Sequence, residues 1–132
     1  MKIYLAARSK RRAELEDLAR SIEQLGHTVT SRWLAGYSQE NDDNARFDAQ
    51  YDLNDIVVAD ALVLFTEDPE GTGSLRGGRH VEFGCALHAG KALFIVGPRE
   101  NIFHELPEVV RFSDAEELFN FLASPAVMEE LS

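Results

Sequence analysis

The chain has 132 residues, of which 45% are hydrophobic and 27% charged, and 13 Lys+Arg stand against 23 Asp+Glu for a formal charge of -10. So acidic a chain is poorly suited to tracking a nucleic acid backbone or an anionic membrane surface. The single cysteine, Cys85, excludes an internal disulfide framework and a Cys-rich zinc site. No apolar run reaches the length of a membrane span, and the first residues lack the apolar stretch of a signal peptide. One cytoplasmic domain over residues 1–132 is expected, ending in a loose tail from about residue 124.

In chain order, residues 2–7 read as a short buried strand. Residues 11–25 carry Leu15, Leu18, Ile22 and Leu25 at helical spacing, with Ser9 as N-cap and Gly26 as the stop. The β-branched run 28–33 reads as a strand, 34–43 as a loop and 44–57 as a second helix. The apolar run 59–66 fits a central parallel strand covered on both faces. A Gly-rich, charged loop spans 67–78, a helix 79–89 and a buried strand 92–96; 109–112 is a short edge strand. Residues 114–122 form a closing helix capped by Asp114. This alternation implies an α/β fold: a flavodoxin-like, doubly wound parallel sheet of about five strands with helices on both faces. Ligands of such sheets sit at the carboxyl ends of the strands, where the loops after strands 1 and 3 converge.

The first of these loops holds Arg8, Ser9, Lys10, Arg11 and Arg12 before a helix start, which fits one phosphate or carboxylate. A solvated basic patch is the plainer account. In the second loop, Gly71, Gly73, Gly77 and Gly78 let the backbone approach a ligand, and Ser74, Arg76 and Arg79 add donors. The spacing matches neither a P-loop nor a dinucleotide fingerprint. Glu82 falls in the first turns of the next helix, where the helix dipole is expected to keep its carboxylate ionised. That makes it a suitable nucleophile for a sugar C1; a Glu that merely suits the dipole is the simpler alternative. Asp48, Asp52 and Asp55 recur at i, i+4, i+7 on the second helix. Like charges so placed call either for a solvated face or for a carboxylate aimed into a site as a general acid. Helix geometry favours Asp48 for the latter. His27, His80, His88 and His104 show no metal-ligand spacing, so neither a metal nor a cofactor is expected.

The segments KIYLAAR, YDLNDIVVADALVLF, GGRHVEFGCALHAGKALFIVG and PRENIFHELP together resemble the nucleoside 2-deoxyribosyltransferase family, which includes the 2'-deoxynucleoside 5'-monophosphate N-glycosidases. The resemblance runs over nearly the whole chain, and its most specific part is the Glu-Phe-Gly at the Gly-rich loop-to-helix junction. It implies a flavodoxin-like fold and cleavage of an N-glycosidic bond through a covalent deoxyribosyl-glutamate. The family's nucleophile matches Glu82. Its Asp-Leu pair matches Asp52-Leu53, which makes Asp52 the acid/base, and a strand-1 Tyr that orients the nucleophile matches Tyr4. A Ser or Asn lent by a neighbouring subunit to the sugar 5' end falls at His104, so a homodimer or larger homo-oligomer with shared sites is implied.

Many transferases of the family carry an Asp shortly before the nucleophile, where this chain has Leu75, Arg76 and Gly77. The monophosphate hydrolases lack that Asp and use a Ser for the phosphate, which Ser74 matches, with Arg8, Ser9, Arg76 and Arg79 as further donors. The expected substrate is thus a small nucleoside or nucleotide, whose deoxyribosyl group passes to another nucleobase or, alternatively, to water. A non-catalytic nucleotide-binding module is the reading from a different class.

Overall fold

The computed structural model describes residues 1–36, 42–68 and 77–129. Its sheet holds β1 (Lys2–Ala6), β2 (Thr28–Val29), β3 (Ala61–Phe65), β4 (Ala92–Val96) and β5 (Val109–Phe112). All neighbours run parallel in the order β2-β1-β3-β4-β5, the flavodoxin-like arrangement expected from the alternation. The helices are α1 (Arg12–Gln24), α2 (Asp42–Val57), α3 (Gly78–His88), α4 (Ala115–Leu122) and α5 (Pro125–Glu129). α1 packs with α4 and α2 with α3, so the central strands are covered on both faces and every residue of β3 is buried. No helix among the described residues is long and apolar enough to cross a membrane.

Three local expectations change. The strand expected over 28–33 stops at Val29, because side chains take over the edge of β1. The Leu5 N–H is accepted by Ser31 Oγ at 2.6 Å and the Leu5 carbonyl receives Trp33 Nε1 at 2.8 Å, so no backbone ladder remains to be made there. Residues Arg32–Ala35 wind instead into a 3-10 turn. Ser9 does not cap α1: it opens a 3-10 turn, Ser9–Arg11, and neither Arg8 nor Arg11 makes a side-chain capping bond. Residues 125–129 of the expected tail form α5, which packs on α4 and buries Val127. Asp114, by contrast, caps α4 as expected, its Oδ1 accepting from Glu117 N at 2.9 Å.

The heights of the elements decide what meets what. Tyr4 stands two residues above the start of β1, ~7 Å at a rise of ~3.3 Å per residue. Asp52 stands five residues before the end of α2, ~7.5 Å at ~1.5 Å per residue. At 16 residues the helix is longer than the five-residue strands β1 and β3, ~24 Å against ~17 Å.

Candidate active site

A cavity of about 490 Å³ opens beside the switch in strand order between β1 and β3. Among the described residues, three segments wall it: Ala7, Arg8, Ser9 and Lys10 after β1; Ala49, Asp52 and Leu53 on α2; and Gly77, Gly78, Arg79, Val81 and Glu82 at the start of α3. Gly77 enters α3 with φ +80°, a left-handed conformation that strains any side chain. That turn points the first, unpaired N–H groups of α3 toward the cavity end of the helix.

Glu82 lies one turn into α3 and accepts a hydrogen bond from the phenol of Tyr4. Tyr4 is fully buried in β1, so its hydroxyl is fixed in direction. Burial pushes the Glu82 carboxyl up to about 7; the Tyr4 hydrogen bond pulls it down and the negative charge of Asp52 raises it again. The expectation that the helix dipole keeps Glu82 fully ionised is thereby corrected. Lost hydration, with the charge of Asp52, works against ionisation and is opposed by the Tyr4 hydrogen bond.

The three acids of α2 have separate fates. Asp55 is buried and committed to Arg32, accepting from its backbone N–H at 3.0 Å and its Nε at 2.9 Å, with Nη2 at 2.8 Å. Asp52 faces the cavity and Glu82. Asp48 lies one turn earlier and is absent from the cavity wall, with Oδ2 buried and without a hydrogen-bond partner.

The expected anion donors are mostly engaged. Arg8 reaches the cavity, but its Nη1 lies 3.3 Å from Glu67 Oε1. Arg79 is 4% exposed, and its Nη2 lies 2.6 Å from Glu100 Oε1, so its guanidinium is held by a carboxylate rather than offered to a ligand. Ser9 and Gly78 line the cavity as expected. Gly73, Ser74 and Arg76 lie outside the described residues. His104 is not brought to the cavity: it is fully buried, with Nδ1 accepting from Glu100 N at 3.0 Å and Phe83 edge-on at 5.0 Å. A side chain so enclosed by its own chain presents no atom to a neighbouring subunit. Burial, then the neighbouring His80, hold its pKa below the ordinary histidine value.

Lys10, read as part of the basic first loop, lines the cavity, whereas sequence reading singled out neither Glu67 nor Glu100 as a partner of the arginines. Only the fold brings Glu100 to Arg79, so no local pattern marks it. Among the described residues, no group of three or more His, Cys, Asp or Glu is placed to hold a metal ion.

No protein-family model matches the chain, and no curated protein matches it in sequence. Solved structures match it in fold. A 2-deoxyribosyltransferase from the psychrotolerant bacterium Bacillus psychrosaccharolyticus superposes with a TM-score of 0.67 at 24% identity, over 91% of this chain and 91% of that one. A CMP N-glycosidase of Clostridium botulinum superposes with a TM-score of 0.63 at 20% identity, over 92% of this chain and 98% of that one. At these identities the likeness is one of fold.

Proposed function

We propose that the chain is an enzyme of the nucleoside 2-deoxyribosyltransferase type, cleaving the N-glycosidic bond of 2'-deoxynucleosides or their 5'-monophosphates through Glu82. The observation that carries the reading is the meeting of Glu82 and Asp52 at one cavity at the switch point of the sheet, with buried Tyr4 bonded to Glu82 from behind. The two similar folds, a deoxyribosyltransferase and an N-glycosidase, support the same bond as the target. At about 490 Å³, the cavity is of the size usual for small-molecule sites.

In this reading ionised Glu82 attacks C1', and the C1'–N bond breaks with its electron pair going to the base. Asp52 supplies the proton that the departing base takes up. The product is a deoxyribosyl ester of Glu82. In the second step a ring nitrogen of an acceptor base attacks C1' and gives its proton to Asp52, and Glu82 leaves as a carboxylate. Two displacements at one carbon retain the β configuration. Tyr4 holds the attacking carboxylate in direction throughout.

A second reading sends the sugar to water, and the likeness to a CMP N-glycosidase fold favours it. Self-association belongs to the same proposal: Phe47 and Tyr51 on α2 and Val81 on α3 are large apolar side chains left exposed. The test is chromatography of each deoxynucleoside and its 5'-monophosphate, with and without a second free base, against a Glu82→Ala blank. A new deoxynucleoside formed only with added base establishes transfer; free base with the liberated sugar or sugar phosphate establishes hydrolysis. No product from any substrate leaves the binding-module reading.

A further inference from the structure

Two carboxylates outside the proposed chemistry stand behind the cations of the cavity. Glu67, just past the end of β3, has a side chain only 12% exposed and is shared by two arginines. Arg11 Nη1 lies 2.8 Å from its Oε2 and Arg8 Nη1 lies 3.3 Å from its Oε1. Glu100 holds Arg79 in the same way at 2.6 Å, and its Oε2 accepts from the Glu67 backbone N–H at 3.4 Å. Among the described residues, both arginines that reach the cavity, Arg8 and Arg79, are therefore already paired.

A phosphate monoester carries close to two negative charges at neutral pH and is recognised by guanidinium forks free to receive it. Here a phosphate approaching Arg8 meets a fork that Glu67 already shares. Displacing Glu67 leaves it to Arg11 alone, at 2.8 Å, and close to Glu100; leaving it in place sets phosphate against carboxylate. Asp52, and Glu82 when ionised, stand on the other walls. Lys10 contributes a cation, but as an exposed point charge on a flexible stem. A neutral 5'-hydroxyl meets none of these penalties.

We infer that Glu67 is a specificity-determining residue that directs the site toward neutral 2'-deoxynucleosides and away from their 5'-monophosphates. This rests on the function proposed above. The test compares kcat/KM for a deoxynucleoside and the 5'-monophosphate of the same base, in the unmodified chain and in Glu67→Gln. The unmodified chain is expected to favour the nucleoside by about tenfold or more, and Glu67→Gln to shift the ratio toward the monophosphate by about tenfold. A preference of the unmodified chain for the monophosphate overturns the inference, as does an unmoved ratio in folded Glu67→Gln.

If Glu67→Gln does not fold, Arg8→Met replaces it. A rise in KM confined to the monophosphate would show that Arg8 serves a phosphate and overturn the inference; equal effects on both substrates support it. Titration with inorganic phosphate, followed by amide NMR shifts around Arg8, separates the two levels. No turnover of either substrate removes the proposed function alone. Phosphate bound by the unmodified chain at millimolar or tighter Kd overturns the inference, and phosphate bound only after Glu67→Gln supports it.

Discussion

The phenol of Tyr4 donates to Glu82 Oε2 across 78 residues of sequence, joining the middle of β1 to the second turn of α3. The bond opposes the other influences on that carboxylate. Burial and the charge of Asp52 favour the protonated acid, while the Tyr4 hydroxyl favours the carboxylate. The balance near 7 places the ionisation of the proposed nucleophile within the physiological range.

A nucleophile must be ionised before it attacks, so kcat/KM should carry an acid limb with an apparent pKa near 7. Below it the rate should fall about tenfold per pH unit. A pH–rate profile from pH 5 to pH 9 checks this. A rate that stays level down to about pH 5.5 would show that the carboxylate that must ionise does so well below 7, near the ordinary Glu value.

Tyr4→Phe should move that limb to higher pH, because the interaction removed is the one that lowers the Glu82 pKa. A hydrogen bond to a charged group contributes about 1.5–3 kcal/mol, so activity at pH 7 should drop about 10- to 100-fold. The ring is fully buried and Phe retains its packing, so the melting temperature should change little. A limb that stays in place while activity falls would argue that the hydroxyl acts on the substrate instead.

The raised pKa also bears on stability. The folded chain holds the Glu82 proton more tightly than the unfolded chain, with values of about 7 and 4.5. This contribution is complete below pH 4.5, declines as pH rises through 7 and is gone above it. Glu82→Gln escapes the penalty while still accepting from Tyr4. Urea unfolding should find the variant more stable than its parent at pH 8 by about 1–3 kcal/mol, with the difference closing toward pH 4.5. Equal stability of the two at pH 8 would show that the carboxylate is well solvated in the folded chain.

The parts of this picture legible in the sequence are those set by local pattern. The apolar run around β3, the Asp114 cap and the Gly26 stop each depend on residues within a turn or two. The wound order followed, because alternating strands and helices admit few alternatives. Hidden from sequence were features that depend on partners far along the chain. The second strand ends early because Ser31 and Trp33 bond to Leu5. Arg79 is not a free donor because Glu100 lies against it, and His104 is enclosed because Phe83 and Glu100 close over it. The choice of Asp52 over Asp48 came from family resemblance, and helix geometry alone pointed the other way. In the fold, Asp52 is the one of the two that lines the cavity with Glu82.

Gly97→Ala should destabilise the fold without touching the proposed chemistry. The residue follows β4 at φ +115°, and an added Cβ would stand 2.4 Å from Thr66 Oγ1. Thr66 N bonds to Val96 O at 3.0 Å and Gly97 N to Phe112 O at 2.9 Å, so neither neighbour yields without loosening the sheet. A loss of about 2–4 kcal/mol is expected from the clash and the left-handed backbone together. Thr66→Ser in the same background leaves the hydroxyl in place and should not restore stability, whereas Thr66→Ala should recover part of it. Denaturant midpoints of the three proteins decide.

The acids of α2 predict opposite phenotypes from neighbouring positions. Asp52→Asn removes the proposed proton donor and should slow turnover about 10²-fold or more, with the melting temperature little changed. Asp55→Asn leaves the cavity alone but weakens the buried fork that receives the Arg32 backbone and side chain. It should cost about 1–3 kcal/mol of stability, with kcat/KM of the folded fraction within about threefold of the parent. Asp48→Asn, one turn earlier, separates the remaining alternative. If it slows the reaction more than Asp52→Asn, the acid/base role passes to Asp48, and α2 must sit about one turn, ~5.4 Å, lower against β1 when substrate is bound.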